Sequence, residues 1–196
     1  MYKRQGLVGF VLSPKQEYAT LPLSLQFLTL ALLLIPVSLL MGKFGRKKIF
    51  ILGVLSSLLG TFIVAFSIFD KNFMYFIVGS IFIGVSQATQ QFYRYAAADN
   101  VPDNFKSKAL SYVLAGGLIA AILGPELSKI SYTFLTEHIY LATYLIAGTV
   151  QILNLFVLAF LNIPKPKKNI NIKRPLSEIL FKKELILAIL LSLIHI

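Results

Sequence analysis

The chain has 196 residues, of which 57% are hydrophobic and only 14% charged, with 19 Lys and Arg against 8 acids for a net charge of +11. A soluble domain carries about 25% charged residues, whereas several uncharged apolar runs here reach the roughly 18 residues that mark a membrane span, so a soluble fold is excluded. The lack of cysteine excludes a disulfide scaffold, and the apolar dominance excludes disorder and a collagen-like repeat.

In chain order, residues 6–12 are apolar but too few to cross a bilayer, and read as the tail of a span whose beginning is missing. Five complete spans follow, over residues 21–41, 49–69, 73–93, 109–125 and 139–163. As helices rising about 1.5 Å per residue, they suffice, some with their flanks, to cross about 30 Å of hydrocarbon. Helix is expected because lipid offers the backbone no hydrogen-bond partner, and no strand-like alternation points to a barrel. Residues 164–183 form a polar linker broken by Pro164, Pro166 and Pro175, with a short amphipathic turn from Leu176 to Phe181. Residues 184–196 read as the start of a further span. The expected fold is an all-α integral membrane bundle: a truncated first span, five complete spans (the second to the sixth) and the start of a seventh.

Charge placement orients the bundle. Lys43, Arg46, Lys47, Lys48, Lys106, Lys108, Lys165, Lys167, Lys168, Lys173, Arg174, Lys182 and Lys183 all fall at one end of the spans, against Lys15, Lys71 and Lys129 at the other. By the positive-inside rule, loops 42–48, 99–108 and 164–183 are cytoplasmic. The basic excess is then an orientation signal and not a nucleic-acid footprint. Its partner is the lipid bilayer, with anionic headgroups a secondary contact for the polybasic linker. Residues 1–5 and 193–196 resemble translated sequencing-adapter read-through and are set apart from the fold. A fragment is expected, the alternative being a natural start and stop.

The loop after the first complete span contains Ser38, Gly42, Lys43, Gly45, Arg46 and Lys47. It resembles the cytoplasmic signature of the major facilitator superfamily, Gly-x-x-x-Asp-Arg-x-Gly-Arg-Arg/Lys. Gly45, Arg46 and Lys47 match, Lys43 stands conservatively for the first arginine, Ser38 replaces the first glycine and Gly42 the aspartate. Read without the family, the same loop is a positive-inside segment with a glycine turn. The span at 109–125 holds Gly116, Gly117, Ala120, Gly124 and Pro125, similar to the Gly-x-x-x-Gly-Pro element of the superfamily's fifth span. Gly116, Ala120 and Gly124 recur every four residues, leaving a nearly bare helix face that a neighbour can approach closely, and Pro125 can bend the helix. Tight packing without gating is the plainer reading. Residues 92–99 and 108–117 look like a bacterial branch of the superfamily. An Arg-x-x-x-Gly pattern ending at Gly84 is departed from, since Ser80 occupies the arginine position.

This resemblance implies a six-helix N-terminal half over residues 1–163, an inter-half linker over 164–183, and the first residues of the second half. It implies a secondary transporter in a bacterial inner (plasma) membrane, working on a small-molecule substrate by alternating access together with the missing C-terminal half. Gly45, Arg46, Lys47, Gly116, Gly117, Ala120, Gly124 and Pro125 would serve gating. The rival is a six-span scaffold or subunit without transport.

Within the fourth span Gln87, Gln90, Gln91 and Arg94 fall at steps of three and four, on one side of a helix. Polar groups inside a span face the bundle interior or a watery cavity, because lipid exposure is costly. These four are the substrate-cavity candidates, with Gln26 in the second span. Alternatively Arg94 snorkels to the interface and the glutamines pack between helices. Gln151 and Asn154 in the sixth span suit interhelical hydrogen bonds. Glu126 lies at a span edge and could carry a coupling proton if buried, although its place near the outer surface favours simple solvation. Asp99 and Asp103 lie opposite the Lys43–Lys48 loop, where an acid could pair with Arg46, and Asp103 is the partner to test by charge reversal. No nucleophile motif, phosphate loop or His-Glu-x-x-His is present, and with His138 and His195 the only histidines no metal site or cofactor is expected. An enzyme is not expected.

Overall fold

The structure, a computed structural model, describes residues 8–99, 101–131, 134, 140–161 and 163. All lie in one compact unit, Met1–Pro166; the second unit, Lys167–Ile196, falls outside the described residues. The expected linker, the start of a seventh span and the two set-apart ends therefore lie outside them too.

After a helical segment at 8–12 and a 3-10 turn at Gln16–Tyr18 come α1 (Leu21–Phe44), α2 (Arg46–Phe69), α3 (Phe73–Gln90) and α4 (Tyr93–Asp99). A second 3-10 turn, Asp103–Phe105, leads into α5 (Lys106–Ser131), and α6 (Leu141–Phe160) closes the described chain. Among the described residues there is no strand. Five helical stretches, Gln16–Phe44, Arg46–Phe69, Phe73–Asp99, Asp103–Ser131 and Leu141–Phe160, are long and apolar enough to cross a membrane. Each contains or overlaps one expected span.

The connections are shorter than the charge pattern predicts. The expected loop 42–48 shrinks to Gly45, because Lys43 lies in the last turn of α1 and Arg46 begins α2. Gly45 adopts φ 90° and ψ 149°, a conformation unfavourable for a residue with a Cβ, while its amide still closes the last turn of α1 on the Met41 carbonyl at 3.0 Å. The charged side chains of helix ends reach water along their own apolar stems, so no exposed loop is needed to hold them. At the opposite end, Asn72 caps α3 by accepting from the Met74 amide at 3.0 Å.

The bundle has an apolar core around Phe50, Val54, Val64 and Phe76, yet it also buries polar side chains and turns large apolar ones outward. Gln26, Ser67, Ser80, Ser86 and Ser131 are each no more than 1% exposed, whereas Ile35, Leu39, Phe62 and Phe160 are at least 70% exposed. Some hydroxyls that enter this interior return to their own helix: Ser80 donates to the Phe76 carbonyl and Thr89 to that of Ser86. α3 packs against both α1 and α2, and α6 packs against α2. Glycines permit the close crossings. A Cβ built on Gly79 would lie 2.6 Å from Val64 Cγ2 and 2.8 Å from the Gly60 carbonyl oxygen. Ser56 crosses from α2 to donate to the Phe82 carbonyl at 2.8 Å.

α5 is packed differently. It meets α4 and, near its C-terminal end, α6, where Ser131 and Thr143 hydroxyls lie 2.9 Å apart. Its middle is open. Cβ atoms built on Gly116, Gly117 and Gly124 would meet nothing within 4 Å, and Ala120 is exposed. The helix runs through Pro125 to Ser131.

Candidate functional site

Helices α1, α2, α3, α5 and α6 enclose a cavity of about 210 Å³. Its polar wall combines Gln26 from α1, Ser57 and Thr61 from α2, and Ser86, Gln87 and Gln90 from α3. Ser128 comes from α5, and Thr143, Tyr144 and Gln151 from α6, with Val8, Ile83, Tyr140 and Ala147 between them. Periodicity explains the grouping. Thr143, Ala147 and Gln151 stand at four-residue steps, as do Ser57 and Thr61, so each set shares one helix face.

Gln26 is placed by a backbone contact. A Cβ on Gly84 would lie 2.6 Å from the Gln26 carbonyl oxygen, so only glycine lets α1 settle there. Gln90 Nε2 donates to Ser86 Oγ at 3.2 Å. The Oε1 atoms of Gln87 and Gln151 are buried and accept no hydrogen bond among the described residues. Such groups are usually satisfied by protein or an ordered partner.

Of the residues singled out from sequence, the cavity brings together Gln26, Gln87 and Gln90, and it adds Gln151. Gln91 and Arg94 do not line it. α3 stops at Gln90, the Phe92 amide turns back to the Thr89 carbonyl at 3.1 Å, and α4 restarts at Tyr93. That tightened turn ends the regular step of about 100° per residue, so the stripe does not continue across it. Gln91 is exposed, and the Arg94 guanidinium carbon lies 4.9 Å from the Tyr95 ring centre, its buried Nε without a hydrogen bond among the described residues. Asn154 instead faces a second, mostly apolar cavity of about 280 Å³ with Phe50, Tyr93 and Leu158. Ser57, Thr61, Ser86, Ser128 and Thr143 went unnoticed in sequence; their four-residue spacing, where it exists, is the signal that could have found some of them.

The glycine turn ties three helices at one end of the bundle. Arg46 at the start of α2 forms an ion pair with Asp99 at the end of α4, 2.5 Å apart. Lys47 donates to the Ala159 carbonyl at 2.8 Å, where a cation meets the carbonyl end of α6. Asp103, the other acid weighed for Arg46, pairs with Lys106 at 2.6 Å. Gly42, at the position of the lost aspartate, borders a small notch with Ser38, Met41, Arg46 and Phe92. Glu126 is exposed and bonded to Lys129 at 2.5 Å.

These features accord with the comparisons. The Major Facilitator Superfamily profile matches residues 8–196. The chain belongs to that superfamily. It is 36% identical over 188 residues to a riboflavin transporter, RfnT, of Brucella anthropi, a match covering 94% of this chain and 47% of that protein. The chain thus spans about half the length of the curated relative it matches. No solved structure matches it. Membership makes this a multi-pass α-helical membrane protein, with the bilayer as its surroundings.

Proposed function

We propose that the chain is the N-terminal half of a secondary active transporter, which moves a small solute by alternating access together with a C-terminal half not in this sequence. The observation that carries this reading is the cavity itself, where hydroxyl and amide side chains from five helices meet among apolar ones, with two buried acceptors lacking a partner among the described residues. Its about 210 Å³ is below the roughly 300–1,000 Å³ of pockets that engulf a drug-sized ligand. One half would therefore hold part of the solute and the other half the rest. Gln26, Gln87, Gln90 and Gln151 would orient it. Gly45, Arg46 and Lys47 would clasp the cytoplasmic end of this half, and the open face of Gly116, Ala120 and Gly124 would accommodate a moving neighbour. The basic ends of the helices support a cytoplasmic position for that end, in a bacterial inner membrane.

Riboflavin is the first substrate to test, because the relative is named a riboflavin transporter. The complete polypeptide, expressed in a riboflavin auxotroph without its own importer, should restore growth on low riboflavin and accumulate labelled vitamin. Gln87→Leu should reduce uptake at normal membrane abundance. Absence of uptake by the abundant, unmodified protein refutes the assignment.

A further inference from the structure

The polarity of the cavity narrows what can occupy it. Its lining is made of apolar, hydroxyl and carboxamide side chains, and none of the described residues that line it is charged. The nearest cation by sequence, Lys129, is already bonded to Glu126, and Arg94 lies outside the lining. Gln87 comes from α3 and Gln151 from α6, so two residues whose buried Oε1 atoms have no partner among the described residues line one space from different helices. A buried acceptor left empty is costly, whereas a ligand donor satisfies it.

We propose that this cavity selects an uncharged ligand carrying hydrogen-bond donors, with Gln87 and Gln151 as acceptors that determine specificity, and that it rejects phosphorylated counterparts of the same ligand. The inference rests on the assignment of this chain as half of a transporter. A heterocyclic imide or amide N–H, or a sugar hydroxyl, satisfies the acceptors without bringing charge. Against this half, a phosphate dianion would exchange hydration for a wall without cations among the described lining residues, a transfer that is strongly unfavourable. Sites built around a hydrogen bond discriminate steeply against ligands that lack it, because the buried group is then left unpaired. Selectivity by size alone would show no such pattern.

The test uses the complete polypeptide and competition against labelled riboflavin uptake. Unlabelled riboflavin should compete. N3-methylriboflavin, which lacks the imide donor, should compete at least about 10-fold less well. Flavin mononucleotide should compete at least about 100-fold less well. In the Gln87→Leu, Gln151→Leu double variant the penalty for N3-methylation should shrink or disappear. Equal competition by the methylated or phosphorylated compound in the unmodified protein overturns the inference while leaving riboflavin transport intact. The unmodified protein decides the matter even if the double variant does not fold. If the unmodified protein takes up no riboflavin, the substrate assignment fails separately, and thermal stabilisation of the purified polypeptide decides the inference. Stabilisation by uridine and not by uridine monophosphate supports it, and any other result overturns it.

Discussion

Gly84→Ala is the most direct probe of how the cavity is built. The added Cβ would lie 2.6 Å from the Gln26 carbonyl oxygen, 2.9 Å from Thr29 Cβ and 3.2 Å from Gln26 Cα. Two of these three atoms belong to the backbone, so no rotamer change relieves the contact. An ordinary C···O approach is about 3.3 Å, which requires α1 and α3 to separate locally by about 0.7 Å. Overpacking of this kind costs about 1–3 kcal/mol. Alanine also gains up to about 1 kcal/mol in helix propensity, which would mask part of the loss. Gly42→Ala supplies the comparison, since it makes the same chemical change where a Cβ meets nothing within 4 Å. The difference in thermal midpoint between the two variants then isolates the clash, at about 2–4 °C per kcal/mol for a unit of this size. Because Gln26 rides on the displaced carbonyl, Gly84→Ala should also raise the KM for uptake more than Gly42→Ala does. Equal midpoints and equal KM values for the two variants would refute the placement of α1 against Gly84.

Three further outcomes follow from the same geometry. Arg46→Glu and Asp99→Arg should each destabilise slightly and the double exchange should recover the loss, within the about 0–1 kcal/mol expected of a partly exposed pair. Asp103→Arg should give Arg46→Glu no rescue, and recovery there in place of Asp99 would reassign the pair. Gly45→Ala should cost about 1–3 kcal/mol, because φ 90° with ψ 149° is a region that residues with a Cβ rarely adopt; an unchanged thermal midpoint would refute that conformation. Glu126→Gln should leave uptake and its pH dependence unchanged, since the carboxylate is exposed and bonded to Lys129. Loss of uptake at normal abundance would instead make it a coupling residue.

The spans were legible because they depend on composition over about 20 residues, which neighbouring helices hardly alter. Their junctions were not. Charges at 43 and 46–48 suggested a loop, yet Gly45 is the one residue between α1 and α2, since long basic side chains can sit on helix ends and still reach water. The break after Gln90 was invisible for another reason: no Gly or Pro marks residues 91–92. The ion pair was half legible: charge pattern put an acid opposite Arg46 but favoured Asp103, whereas Arg46 pairs with Asp99 and Asp103 with Lys106.

The site shows where one-dimensional reading reaches its limit. Gln87 and Gln90 could be assigned an inward face because a carboxamide has few other places to go inside a membrane. Hydroxyls escape that logic, since a serine or threonine can satisfy itself on a carbonyl of its own preceding turn. Ser80 and Thr149 do so, to Phe76 and Leu145, and are not among the residues that line the polar cavity. Ser57, Thr61 and Ser128 are the same residue types, all buried, yet they border the cavity. The difference lies in which neighbouring helix each one faces, and therefore in close crossings such as Gly60 on Gly79 and Gly84 on Gln26. Those glycines line no part of the cavity wall. They nevertheless decide where the polar ring can form, so substitutions at Gly79 or Gly84 should alter solute selectivity as well as stability, whereas Ser80→Ala should leave selectivity unchanged.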